Sequence, residues 1–287
     1  QLRGKGKPAA GAAASAPVPA PAAVDNLPEP DFKMPQRSWS ILVTGIGGTG
    51  VVTIGQTLAV AAHLQGYYSS NLDVTGLSQK YGAVHSHIKL APEPQMLHAT
   101  RIASGEADAL VGCDLIVSAS DETLERLAGG KTGGALCTDM VPTSEFSSNP
   151  NWSADVPALT ARISDAMDGN LQQYDALRLA RELLGDSIGA NMMLLGTVWQ
   201  MGKIPLTLAA IHRAIELNGV AIALNKAAFD WGRQLAIDPE AVEKVAAQAS
   251  RRETAAGSAD TGSNIVSLSR PRLTSLQDIV EHRQALL

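Results

Sequence analysis

The stretch SILVTGIGGTGVVTIGQTLA, residues 40–59, constrains the fold more than any other part of this chain. A β-branched run, Ser40–Thr44, passes through a glycine-rich turn into Val51–Leu64, whose apolar spacing predicts a helix. Gly45, Gly47 and Gly50 fit G-x-G-x-x-G between that strand and that helix, and Gly48 adds a fourth glycine. In such a turn the first glycine permits the sharp bend, the second a close backbone approach, and the third the packing of helix on strand. The unpaired N–H groups and dipole at the helix start favour an anion. Gly45, Gly47, Gly48 and Gly50 are therefore candidate cofactor-binding residues.

The rest of a dinucleotide fingerprint is weaker. An acid should end the second strand roughly 20 residues further on, to hold a ribose. The nearest candidate, Asp73, comes later than that. On these residues three readings stay open: a nicotinamide dinucleotide site, a turn that binds no nucleotide, and a site for another ligand's phosphate, such as coenzyme A's.

Downstream, Tyr67–Val74, Ala83–Leu90, Asp114–Ala119 and Ala135–Thr138 read as further strands, with a helical DETLERLAGG after the third of these. Strands alternating with helices predict an α/β, Rossmann-like, mostly parallel sheet with helices on both faces. A helical region follows, with helices expected over Asp155–Met167, Leu171–Leu184, Asn191–Gln200, Leu206–Leu217 and Val220–Leu235. Residues 1–36 are Ala/Pro-rich and read as a mobile linker, because small side chains and prolines bury too little to offset ordering entropy. The domain is expected over 37–236, a short helix and flexible linker over 237–271, and the start of a further helical segment over 272–287. That abrupt end, and the Gln at position 1, suggest a piece of a longer polypeptide.

A net charge of −5 offers no basic face for nucleic acid, so no nucleic-acid partner is expected. No apolar run reaches the roughly 18 residues of a bilayer span, and no membrane partner is expected. The two cysteines, Cys113 and Cys137, are too few for an iron–sulfur cluster and fit a reducing, cytoplasmic setting. Both read as small buried hydrophobes. No Ser/His/Asp or Cys/His set, G-x-S-x-G or H-E-x-x-H appears, so no catalytic residue and no metal site is assigned.

A second motif, DVTGLSQKYGAVHSHIKLA, covers Asp73–Ala91. Lys80 is a candidate cation for a phosphate or carboxylate, against a solvated loop lysine. Gln79 and Ser78 either orient a ligand or bond locally within the loop. Asp73 either holds a ribose hydroxyl or serves a strand end. His85 and His87 share one strand face, and without a third ligand nearby they read as hydrogen-bonded rather than metal-binding. Asp121 is a candidate cap for the helix after it, and Asn191 and Asn225 read as helix caps.

The glycine turn together with DVTGLSQKYGAVHSHIKL resembles the gamma module of the 2-oxoacid:ferredoxin oxidoreductases. NMMLLGTVWQMGKIPLT and NKAAFDWGRQLA, at 191–207 and 225–236, match the same family, and NKAAFDWGR with the tail LTSLQDIVEHRQALL is most similar to the long fused indolepyruvate-type enzymes. The resemblance implies thiamine diphosphate-dependent oxidative decarboxylation of a 2-oxo acid, an aryl pyruvate for the indolepyruvate type, with electrons passing through iron–sulfur clusters to ferredoxin and the acyl group to coenzyme A. This chain has no thiamine signature and too few cysteines, so those cofactors are expected on partner domains or subunits. Coenzyme A is the one candidate ligand for this module. The alternatives are a free-standing NAD(P)-binding dehydrogenase or sensor, and a purely structural assembly module.

Overall fold

A computed structural model of the chain describes residues 27–32, 34–48, 50–76, 82–139 and 155–259. Strand β1 (Trp39–Ile46) leads through the glycine turn to helix α1 (Val51–Leu64). Strands β2 (Tyr68–Thr75) and β3 (Ala83–Ala91) follow, then β4 (Ala109–Gly112), the short helices α2 (Leu115–Ser118) and α3 (Asp121–Leu124), and β5 (Gly133–Cys137). Next come α4 (Val156–Ala166), β6 (Leu171–Tyr174), α5 (Ala176–Leu184), α6 (Ala190–Gln200), α7 (Leu208–Asn218), α8 (Ile222–Ile237) and α9 (Pro239–Ala259).

The strands form one sheet in the order β2-β3-β1-β4-β5-β6. Pairs β1–β4, β4–β5 and β5–β6 are parallel, as the alternating pattern predicts, whereas β3 runs antiparallel to both β1 and β2. The connection from Thr75 to Ala83 explains that difference: a parallel crossover needs about a dozen residues or more, and this link is too short for one. The α/β class therefore holds, with a hairpin built into one side of the sheet.

Alternate strand residues feed two cores. Ile41 and Val43 point to the face covered by α1 and by the helical second half, with Ile54, Leu58, Leu179, Leu194 and Phe229 all fully buried there. Leu42, Leu110 and Leu136 point to the other face and meet Ile102, Ile163 and Met167. Asp108 fixes the start of β1: its carboxylate accepts from Ser40 N at 2.8 Å and from both Arg37 guanidinium nitrogens at 2.7 and 3.0 Å.

Several boundaries differ from the pattern. DLIVSA is not a strand: the Asp114 carboxylate accepts from Val117 N at 2.9 Å, capping α2, and its apolar residues are buried because the helix lies on the sheet. The strand lies just before it, over Ala109–Gly112. Leu171–Leu184 is not one helix: Asp175 caps α5 by accepting from Arg178 N at 2.8 Å, and residues 171–174 pair with β5 instead. Asp121 does not cap α3. Ser120 does, its Oγ accepting from Thr123 N at 3.4 Å, while Asp121 sits in the first turn and pairs with Arg162 at 2.8 Å. Ser120→Ala is expected to cost about 1 kcal/mol and Asp121→Ala only a few tenths, since exposed pairs contribute little; urea unfolding of the two variants checks the order.

The expected linkers are shorter than composition suggests. Arg233 Nη2 donates to the Leu27 carbonyl and Gln200 Nε2 to the Pro28 carbonyl, so this end of the Ala/Pro-rich segment is tied to the helical half. The fully buried Val242 and Ala246 of α9 belong to the core, and the helix runs on to Ala259, into the stretch read as a linker. The described residues up to Ala249 form one unit, and the end of α9 from Ser250 belongs to a second. The segment 272–287 lies outside the described residues.

Candidate functional site

Strand β1 carries the chain to Ile46, and the turn then reverses it into α1. Gly45 is not the bending residue: it lies within β1, paired with Val84. The left-handed positions are Gly48, at φ +91°, and Gly50, at φ +95°, where side chains are strained. Gly47 N donates to the Gly82 carbonyl at 2.9 Å. That bond joins the two sequence motifs, since Gly82 closes the loop whose residues 77–81, including Gln79 and Lys80, lie outside the described residues. Asp73 is placed elsewhere: it stands on edge strand β2, in register with Ser86, whose Oγ donates to its carboxylate at 2.5 Å. Strand β3 lies between it and β1, so it does not meet the glycines as a ribose-binding acid at the end of a neighbouring strand does.

Two crevices flank the turn and share Gly48, Ile188 and Asn191. The first, about 330 Å³, lies beyond the carboxyl ends of β1, β4 and β5 and holds Asp114, Asp139 and Asp186, with the Cys113 thiol on its wall. Asp186 accepts from Ile188 N at 3.0 Å. Three carboxylates with no basic lining residue make this space unfavourable for a phosphate. Burial pushes the Cys113 and Cys137 thiols up, which disfavours the nucleophilic thiolate at both.

The second crevice, about 310 Å³, has no charged lining residue among those described. The amino ends of α1, α6 and α8 all reach it, at Gly50, at Asn191 and Met192, and at Ala221. The amino ends of α1 and α8 receive no side-chain cap and carry no acid in the first turn, whereas α6 is preceded without a break by a 3-10 turn over Ser187–Gly189 that Asp186 caps. The amino ends of α2, α3, α4, α5 and α7 are instead capped by Asp114, Ser120, Asp155, Asp175 and Thr207. Each uncapped end contributes a partial positive charge of about half a unit, opposed by the carboxyl end of α7 at Asn218. Asn191 Nδ2 lies 3.4 Å from where a Cβ on Gly50 would stand, so that glycine also keeps the crevice open. Asn225 donates to the Val220 carbonyl at 2.9 Å, holding a bend in which Ala221 adopts φ +45°.

Asn191 and Asn225, expected as caps, lie inside α6 and α8, whose cap positions are Gly189 and Ala221, and Asp139, Asp186 and Ala221 carry no signal in the sequence. Their signal is tertiary: the crevice is made where three helices end, and no local spacing reports that. His85 and His87 follow their hydrogen-bonded reading. His85 Nε2 lies 3.1 Å from Thr123 Oγ1, and Ile102 N donates to His87 Nδ1 at 3.2 Å. Among the described residues no group of three or more His, Cys, Asp or Glu is placed to hold a metal. With two cysteines, the chain lacks the four thiolates that an iron–sulfur cluster takes. No described helix is long and apolar enough to cross a membrane.

A glycine turn where the neighbours of β1 change from antiparallel to parallel, with crevices beyond the strand ends, defines a Rossmann-like module. The family model for pyruvate ferredoxin/flavodoxin oxidoreductase matches residues 40–235. The chain belongs to that family and is part of an oxidoreductase acting on 2-oxo acids. It is 26% identical over 200 residues to indolepyruvate oxidoreductase subunit IorB of Pyrococcus horikoshii, covering 68% of this chain and 95% of that one. It is 25% identical over 222 residues to ketoisovalerate oxidoreductase subunit VorA of Methanothermobacter marburgensis, covering 73% and 40%. The fold also matches a 2-oxoglutarate:ferredoxin oxidoreductase from Magnetococcus marinus, solved with 2-oxoglutarate, coenzyme A and succinyl-CoA, with a TM-score of 0.50 and 17% identity over 70% of this chain and 31% of that one.

Proposed function

We propose that this chain is the gamma-type module of an indolepyruvate-type 2-oxoacid:ferredoxin oxidoreductase and that its neutral crevice receives the phosphates of coenzyme A. The overall reaction converts an aryl pyruvate and the coenzyme thiol to the acyl thioester, releasing carbon dioxide, one proton and two electrons. The thiamine diphosphate and iron–sulfur sites belong to partner domains, and ferredoxin takes the electrons from those.

The observation that carries the ligand assignment is the convergence of two uncapped helix ends, of α1 and α8, on a crevice with no carboxylate among its described lining residues. Gly48 and Gly50 shape its wall, Gly45 and Gly47 set the strand end, and Gln79 and Lys80 of the second motif are the further residues assigned to the ligand. The near-complete coverage of IorB supports the indolepyruvate type. A free-standing NAD(P) enzyme is disfavoured by the place of Asp73 on the far edge strand.

Titration calorimetry of coenzyme A into the full chain tests this. Asn191→Asp puts a carboxylate beside both crevices, and a repulsion of about 1–2 kcal/mol is expected to weaken binding about tenfold or more. Lys80→Ala is expected to weaken it as well. Absence of heat at millimolar ligand, alone and with the thiamine-binding partner, would leave a purely structural module.

A further inference from the structure

Strand β2 ends the sheet, and no described strand pairs with its outer side. Gly76 N donates to the Ala83 carbonyl, so in the antiparallel ladder Tyr68, Ser70, Leu72 and Val74 direct their backbone groups toward β3. The N–H and C=O groups of Ser69, Asn71, Asp73 and Thr75 therefore point outward. Exposed edges are normally blunted by lysine or another charged side chain, by proline or by a bulge. YSSNLDVT has no lysine or proline, its one charged residue, Asp73, already accepts from Ser86 Oγ, and its register with β3 is unbroken from Tyr68 to Thr75.

We propose that β2 is a self-pairing edge: two copies of this chain join β2 to β2, antiparallel, about a twofold axis at Leu72. The axis follows from which register satisfies the outward residues. At Leu72 it sets Asn71 against the partner's Asp73 and Ser69 against the partner's Thr75, in both directions, so all four outward residues pair. The Asn71 amide already donates one N–H to the Gly55 carbonyl at 2.8 Å and keeps its second for that carboxylate. On the opposite face Leu72 meets the partner's Leu72. An axis at Asp73 would appose two carboxylates, which is destabilising, and an axis at Asn71 or Ser70 leaves Thr75 without a partner inside the strand. The interface is isologous and closes as a dimer.

The axis makes Leu72 a non-hydrogen-bonded pair with itself, with Cα atoms about 4.5 Å apart, inside the roughly 4.4–6.8 Å that a disulfide accepts. The full-length chain is expected to be a dimer by light scattering, and Leu72→Cys, treated with oxidised glutathione, is expected to run as a covalent dimer on a non-reducing gel while the wild type does not. Ser69→Pro removes an outward N–H that the β2–β3 ladder does not use, and is expected to give a monomer with an unchanged circular dichroism spectrum. A wild-type monomer at micromolar concentration overturns the proposal, as does a folded, dimeric Leu72→Cys that does not cross-link. Cross-linking through Asn71→Cys instead overturns this register. Should Leu72→Cys not fold, a Ser69→Pro chain that stays dimeric overturns it.

Discussion

Gly232→Ala is expected to destabilise the domain by about 3 kcal/mol or more, at the upper end of what overpacking a core costs. Helices α6 and α8 cross backbone to backbone. A Cβ on Gly232 would stand 1.8 Å from the Met193 carbonyl oxygen, and one on Gly196 2.0 Å from that of Phe229. These are main-chain contacts, so no rotamer change relieves them and the helices must separate. Separation also breaks the bond that Thr197 Oγ1 donates to the Gly232 carbonyl at 2.9 Å and strains the Tyr174–Thr197 hydroxyl pair, 2.7 Å apart. At about 2–4 °C per kcal/mol for a domain of this size, the melting temperature should fall by about 6–12 °C. Gly48→Ala is the contrast: its φ is +91° but nothing lies within 4 Å, so only backbone strain of about 1 kcal/mol is at stake. A Gly232→Ala chain melting within a degree or two of wild type would contradict this packing.

Acidification is expected to cost nearly as much through one side chain. Burial, aided by the charges of Arg126 and Arg101 and opposed by Glu122, lowers the His87 pKa to about 4. His85, beside it, is lowered too, by burial first, against the pull of Glu122. His87 Nδ1 accepts from Ile102 N, so the ring is held neutral and its buried Nε2 has no partner. The folded pKa lies below the unfolded value near 6.5, so the unfolded chain binds the proton first. Stability is full above pH 6.5 and is lost as pH falls toward 4. For His87 alone the loss is about 2 kcal/mol by pH 5 and about 3 kcal/mol by pH 4, at 1.4 kcal/mol per decade. His87→Asn keeps an acceptor for Ile102 N and cannot titrate. Urea midpoints at pH 7 and pH 5 should converge in that variant relative to wild type; an unchanged gap would show that His87 is not the group responsible.

The glycine turn, the α/β class and most of the long helices were legible because each rests on local pattern: β-branched runs, helical spacing, a glycine-rich turn. What failed was where tertiary context overrode pattern. The run in DLIVSA looked like a strand, yet Asp114 caps it as a helix. LQQYDALRL reads as helix throughout, yet β5 offers its edge to the first four residues. The antiparallel β3 was accessible from loop length alone. The family motifs around Gly196 and Gly232 were visible as strings, but that both glycines serve one helix crossing needs the fold. The site divides in the same way. The glycines lie at the turn the pattern indicates, but their division of labour was not legible, since Gly48 and Gly50, rather than Gly45, take the left-handed backbone. That one crevice is acidic and the other neutral depends on residues drawn from β1 to α8.

The most direct measurement of the central claim is reconstitution with the thiamine-binding partner of the same enzyme. With an aryl pyruvate and coenzyme A supplied, reduction of ferredoxin or of a viologen dye is followed for this chain alone, the partner alone and both together. No turnover is expected from this chain alone, and coenzyme A-dependent reduction only when both are present, weakened by Asn191→Asp. A partner that turns over at the same rate without this chain, or a chain that reduces the acceptor on its own, would contradict that claim.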